Sequence, residues 1–189
     1  MIILIVPQTD WQFAMYKKSK KIKILDIGCG KHKVHPNAIG VDSVKVPGVN
    51  VVHDLDSFPY PFKNKEFDEI HAYMVLEHLK NFSGAMGQIH RILKPGGKLH
   101  VKVPYYSSQA AFQDYTHRNF FTEKTFSYFE ETNELSYYTK ARFKILEQKL
   151  ISNSNSVMEK LRNLIPFRNL LKYLLLNMYD EIHVTLVKK

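Results

Sequence analysis

The stretch Lys21-Ile22-Lys23-Ile24-Leu25-Asp26-Ile27-Gly28-Cys29-Gly30 decides how the chain folds. Lys21 to Ile27 reads as a buried strand, and it runs into a glycine turn where the backbone bends tightly and approaches a ligand with no side chain between them. Short apolar runs follow at Ala38 to Val41, Asn50 to His53, Phe67 to Ala72 and Lys98 to Val103. Between the last two, Phe82, Met86, Ile89 and Leu93 recur every three or four residues, one face of a helix that stops at Lys94-Pro95-Gly96-Gly97. Strands alternating with helices predict parallel pairing. The expected fold is therefore a doubly wound α/β sheet in three layers, with its chemistry beyond the C-terminal ends of the strands.

The last third of the chain breaks the alternation. Ala141 to Ile151 and Glu181 to Lys188 read as two more strands, separated by an insertion from about 152 to 180 with helical patterning. In it Ser156 and Glu159 have the spacing of a capping box, and Phe167, Leu170, Leu171, Leu174, Leu175 and Met178 form one apolar stripe. One domain over residues 1–189 with a helical cap is expected. Lys160, Arg162, Arg168 and Lys172 lie around the stripe, so the cap is expected to cover the active site, meet a partner or touch an anionic membrane surface.

A chain of 189 residues with 44% apolar and 24% charged residues suits one globular domain and argues against disorder or a membrane-spanning protein. Cys29 is the only cysteine, which excludes an intrachain disulfide and makes the cytoplasm the expected location. The apolar run Met1 to Pro7 is far shorter than the roughly 20 residues of a spanning helix and lacks the basic start of a signal peptide. A short strand or docking segment is expected there. The net charge of +9 suits RNA, an anionic membrane or a phosphorylated substrate. Nucleic acid is not favoured, because no arginine-rich or aromatic-interleaved stripe accompanies the charge.

The glycine turn has a specific chemistry. A dinucleotide site wants a third glycine at position 33, where Lys33 stands instead. Asp26, just before Gly28, Cys29 and Gly30, favours a cationic ammonium group and opposes a pyrophosphate. S-adenosylmethionine has that ammonium and no phosphate. Asp42, ending the second strand, stands where an acid accepts hydrogen bonds from both ribose hydroxyls. Asp54 follows the third strand, where a carboxylate accepts the adenine amino hydrogen while the amide of Leu55 faces the ring. Cys29 between two glycines is read as a small residue, not a nucleophile.

These stretches, GCG at Gly28, GVD at Gly40, HDLD at His53 with FPYPF after it, VLEHL at Val75, RILKPGG at Arg91 and VPY at Val103, resemble the class I S-adenosylmethionine-dependent methyltransferases. They are most similar to a small bacterial and archaeal group, which the segment from Asp114 to Thr122 also resembles. The resemblance implies a Rossmann-like seven-strand sheet whose last strand, Glu181 to Lys188, runs antiparallel. The sequence departs from the group twice. The span from Gly30 to Ile39 is short and holds Pro36, so the first crossover helix is expected to be very short or replaced by a loop. The segment before Lys21 is too short for a helical lid over the cofactor, a role the cap after Ser152 is expected to take.

The sulfonium already activates the methyl group, so such a protein mainly aligns an acceptor and excludes water, and needs a base only when the acceptor must lose a proton. His117 is the first candidate for that base, with Arg118 beside it to hold an anionic substrate and Glu77 at the start of the preceding helix. Tyr73 is placed on the cofactor side. No metal is expected, since His71, His78, His90 and His100 show no i, i+4 pair or Cys/His ligand spacing. The acceptor is expected to be a small molecule, with sugar-containing and lipid-linked intermediates as the classes in view, methylated on O, N or C. RNA methylation and a non-catalytic, cofactor-binding partner subunit are the competing readings.

Overall fold

The computed structural model describes residues 22–153 and 157–189. Seven strands form one sheet: β1 (Ile24–Ile27), β2 (Ile39–Asp42), β3 (Val51–Val52), β4 (Phe67–Tyr73), β5 (Leu93–Pro104), β6 (Phe143–Ile151) and β7 (Glu181–Lys188). Their order is β3-β2-β1-β4-β5-β7-β6. The first five pair in parallel, while β7 runs antiparallel to both β5 and β6. This is the doubly wound sheet with an antiparallel last strand that the sequence implies.

Alternation along the strands assigns the two faces. Leu25, Ile27, Ile70, Ala72, Leu99, Val101 and Val103 are buried on one face, in one cluster with Ala85, Met86, Ile89 and Ile92 of α1 (Phe82–Ile92). α1 begins where the Asn81 side chain accepts the Gly84 amide at 2.8 Å, and Leu93 beyond it belongs to β5. Lys188 at the end of β7 is buried, and its ammonium donates to the carbonyls of His90 and Leu93, the C-terminal end of α1. Phe121 stacks on Phe126 at 5.7 Å, with the edge of Phe82 against both.

The other face carries polar groups. Asp26, His71, His100, Thr185 and Glu147 stand side by side across five strands by register. The connections from β1 to β2 and from β2 to β3 are turns without a helix, as the short span around Pro36 predicts.

The cap differs from the sequence reading. It holds two short helices, α3 (Val157–Arg162) and α4 (Arg168–Leu171), after the single turn α2 (Gln109–Gln113). Phe167 enters α4 with φ 55°, Asn177 leaves the segment with φ 59°, and the stripe from Phe167 to Met178 is not one continuous helix. Met178 is buried, whereas Phe167, Leu170 and Leu174 are exposed. Met1 to Pro7 and Ser156 lie outside the described residues. No helix among the described residues is long and apolar enough to cross a membrane.

Candidate active site

A cleft of about 310 Å³ opens at the C-terminal ends of β1, β2 and β4, lined by Gly28, Asp42, Ser43, Asp54, Leu55, Asp56, Met74, Val75, His78 and Leu79. Its floor is the glycine turn. Gly28 has φ 67°, and a Cβ there would stand 2.4 Å from Cγ2 of Val75, so only glycine fits. The amides of Gly28 and Cys29 both donate to the Val41 carbonyl, tying the turn to β2. Asp42 braces it from the side, one carboxylate oxygen accepting the Gly30 amide at 2.9 Å and the other the Val44 amide at 3.2 Å. The first oxygen keeps a further lone pair for a ligand, while the second is also approached by the Ser43 hydroxyl at 3.5 Å.

Asp54 and Leu55 are held by the loop behind them. The Tyr60 hydroxyl donates to the Leu55 carbonyl at 2.9 Å, and Arg91 of α1 donates to the carbonyls of Tyr60 and Phe62. Asp56 accepts the amides of Lys80 and Asn81, which fixes the start of α1 beside the cleft.

A second feature adjoins the first through His78. Glu77 lies in the 3-10 turn Leu76–His78 and is 1% exposed, with Oε2 lacking any hydrogen-bond partner. Its carbonyl accepts the amides of Arg118 and Asn119 at 2.7 and 3.0 Å, and the Asn119 side chain donates to the carbonyls of Leu76 and Leu79. These bonds bring the segment after β5 onto the turn after β4. His117 and His78 thereby meet edge to face at 4.7 Å, and one donor atom each of Glu77, His78 and His117 lies within 4.8 Å of the others.

The proton positions in this trio follow from its partners. Nδ1 of His117 faces the Ala111 carbonyl at 2.9 Å, which only accepts, so Nδ1 carries the hydrogen. Nδ1 of His78 faces the Thr116 hydroxyl at 2.8 Å, and that hydroxyl donates its own proton to Asp114 at 2.7 Å. In its neutral form each imidazole therefore presents Nε2 as a lone pair. Burial pushes the Glu77 carboxyl up to about 7, with Asp114 and Glu181 adding to the rise against the opposing effects of its own amide and His117. Burial and the nearby His117 push His78 down. The arrangement can accept, hold and pass one proton.

The methyltransferase-domain family matches residues 9–146. The chain belongs to that family. It is a class I methyltransferase, and S-adenosylmethionine is its methyl donor. Its fold is similar to that of the YcgJ protein of Bacillus subtilis, with a TM-score of 0.59 at 15% identity over 89% of this chain and 92% of the other. A SAM-dependent methyltransferase from Archaeoglobus fulgidus aligns with a TM-score of 0.57 at 17% identity, over 94% and 90% of the two chains. A Haloferax volcanii methyltransferase, solved with the activator Trm112, gives 0.59 at 14% identity over 88% and 82%. No curated protein matches the chain.

The methyltransferase's cleft fits the donor on its chemistry. Its lining carries three carboxylates and no lysine or arginine, a setting that repels pyrophosphate and suits a cationic nucleoside without phosphate. Of the residues chosen from sequence for the cofactor, Gly28, Asp42, Asp54 and Leu55 line the cleft; Ser43, Met74, Val75 and Leu79 also line it and were not foreseen. Asp26 is buried behind the turn, accepting the Val34 amide at 2.8 Å, and burial raises its carboxyl. Gly30 and Cys29 belong to the turn's frame. Burial, then Asp26 and Asp42, push the Cys29 thiol up, which fits its reading as a small residue. Tyr73 is outside the cleft, on the polar sheet face with His71. Strand alternation is the reason, since position 73 points the same way as 71 and 69. Among the catalytic candidates Glu77 and His117 come together. Arg118 joins them by its backbone while its side chain stands in an exposed position.

Proposed function

We propose that this methyltransferase transfers a methyl group to an oxygen or nitrogen of a small-molecule acceptor that must lose a proton, with the Glu77-His78-His117 trio taking that proton. The observation that carries the reading is two imidazole lone pairs and one buried, unpartnered carboxylate oxygen gathered beside a cofactor cleft. S-adenosylmethionine supplies the sulfonium-activated methyl group. Asp42 is assigned to the ribose hydroxyls, Asp54 and Leu55 to the adenine, and Gly28 to the close approach of backbone to ligand. Asp26 stiffens the turn and adds negative potential behind it. Arg118, exposed beside the trio, is assigned to an anionic group of the acceptor. An acceptor linked to a lipid agrees with the apolar groups exposed on the cap.

His117→Gln tests the reading, because it removes the base and keeps a polar side chain of similar reach. Turnover with acceptor from fractionated extract is expected to fall by roughly 10²- to 10⁴-fold, while affinity for S-adenosylhomocysteine stays within about twofold. Full turnover in the variant refutes the assignment. Loss of activity on nuclease treatment of the extract moves the acceptor to RNA. Activity abolished by a chelator and restored by a divalent ion would put a cation where the proton is placed.

A further inference from the structure

We propose that Glu69, His71 and His100, on the polar face of the sheet, form a binding site for one divalent transition-metal ion of the zinc type. The site is built from the strands themselves. Glu69 and His71 are two apart on β4 and share a face, and register sets His100 of β5 directly beside His71. The two rings stack at 4.7 Å with 19° between their planes. Nε2 of each ring lies 3.9 Å from the same carboxylate oxygen of Glu69.

The far side of each ring is also engaged. Nδ1 of His71 is 3.1 Å from the Tyr73 hydroxyl, and Nδ1 of His100 is 3.3 Å from the Thr185 hydroxyl. An outer partner on the second ring nitrogen is how ligating histidines are held in one tautomer and orientation. With Nδ1 donating, both Nε2 lone pairs face Glu69. Two imidazoles and a carboxylate are the donor set of many open zinc sites, and also suit cobalt, nickel or iron.

The distances allow closure. Ligand atoms on a tetrahedral zinc stand about 3.4 Å apart for bonds of about 2.1 Å, so each histidine needs to close on Glu69 by roughly 0.5 Å, and the two imidazole nitrogens, within 4.8 Å of one another, by at most about 1.4 Å, through side-chain rotations. The surrounding charge is mixed. Lys98 and Lys102 act on the two histidines as cations, while Asp26 on β1 and Glu69 supply negative charge on the same face. Lys102 is turned toward the Tyr73 ring, 4.3 Å from its centre. Beside His100 a polar cleft of about 200 Å³, lined in part by Glu147, Lys149 and His183, leaves room for a water or other ligand to complete the coordination.

The test is metal binding to the full chain with no affinity tag. Calorimetric titration with Zn²⁺ is expected to show one saturable equivalent, and Co²⁺ to give the visible absorption of a tetrahedral site. His71→Gln and His100→Gln are each expected to weaken binding at least about 100-fold and Thr185→Val about tenfold, the order seen for outer partners. Glu77→Gln/His117→Gln, which disables the other Glu-His-His group, is expected to leave the affinity unchanged. In wild-type protein, Zn²⁺ is expected to protect His71 and His100 from diethylpyrocarbonate, read by mass spectrometry, so the result does not depend on a variant folding. Absence of saturable Zn²⁺ binding overturns the proposal. So does binding that survives His71→Gln and His100→Gln, or that disappears only in the Glu77→Gln/His117→Gln protein.

Discussion

Glu77 shows how a single side chain couples stability to chemistry. Its carboxyl sits near 7 in the fold and near the ordinary 4.5 when the chain unfolds, so between those values the folded state holds the extra proton. Stability contributed by this group therefore falls as pH rises from about 4.5 to about 7 and is level above, a loss of up to about 3 kcal/mol. Glu77→Gln cannot ionise. Relative to wild type it is expected to be more stable by about 1–3 kcal/mol at pH 8 and nearly equal at pH 4.5, measured by urea denaturation at both values. An equal offset at both pH values would mean that the Glu77 carboxyl titrates alike in the folded and unfolded chain. The same change is expected to lower turnover, and the wild-type rate is expected to rise with pH through about 7 as the trio loses its proton. At this scale the sequence is only partly legible. Asp42 and Asp54 are readable because strand ends define where they stand, whereas Tyr73 depends on strand parity and Glu77 meets His117 only through hydrogen bonds across the fold.

The elements divide by how local their causes are. β1, β4, β5 and α1 follow from apolar runs and spacings contained within each segment, and all four are legible. The cap is not, because its pattern at three and four residues reads as one helix while Pro166, the left-handed Phe167 and the left-handed Asn177 make the chain turn. What fastens it instead is Arg162 at the end of α3. Its guanidinium donates to the Asn177 carbonyl at 2.7 Å, to Asp180 at 3.0 Å and to the Ser152 hydroxyl at 2.8 Å, joining α3 to the chain just after β6 and just before β7. Arg162 and Asp180 have side chains only 13% and 15% exposed, so removing one leaves the other charge largely buried and unpaired. Arg162→Ala is expected to cost about 2–4 kcal/mol and to speed proteolysis between residues 153 and 180. Arg162→Lys is expected to recover little of this, since an ammonium cannot reproduce the planar fork. Cap proteolysis at the wild-type rate in Arg162→Ala would show that the guanidinium does not hold the segment.

For the whole molecule, the decisive asymmetry is in where apolar surface remains. The sheet buries its own apolar face against α1, while Leu161, Leu164, Phe167, Leu170, Tyr173, Leu174, Leu175 and Leu176 stay exposed within the cap. Exposed apolar groups gathered in one segment mark an interaction surface more than eight scattered ones would. The basic groups once read as its complement are mostly committed inward: Arg162 to Asp180, Lys172 to Glu123, and Arg168 to the Met178 carbonyl and the Tyr179 ring. Attraction to an anionic surface would then come from the net charge of +9 spread over the chain, and adhesion from the apolar cap. These two contributions respond to different perturbations. Flotation is expected to recover the protein with vesicles containing anionic lipid and not with neutral vesicles, and the bound fraction is expected to fall as salt screens the charge. Leu174→Glu is expected to abolish recovery at any salt concentration, because it places a carboxylate in the apolar surface. Lys172→Gln is expected to leave recovery nearly unchanged, since that ammonium is already paired. A protein that stays with neither vesicle type and runs as a dimer in sedimentation would assign the cap to a second copy of the chain instead.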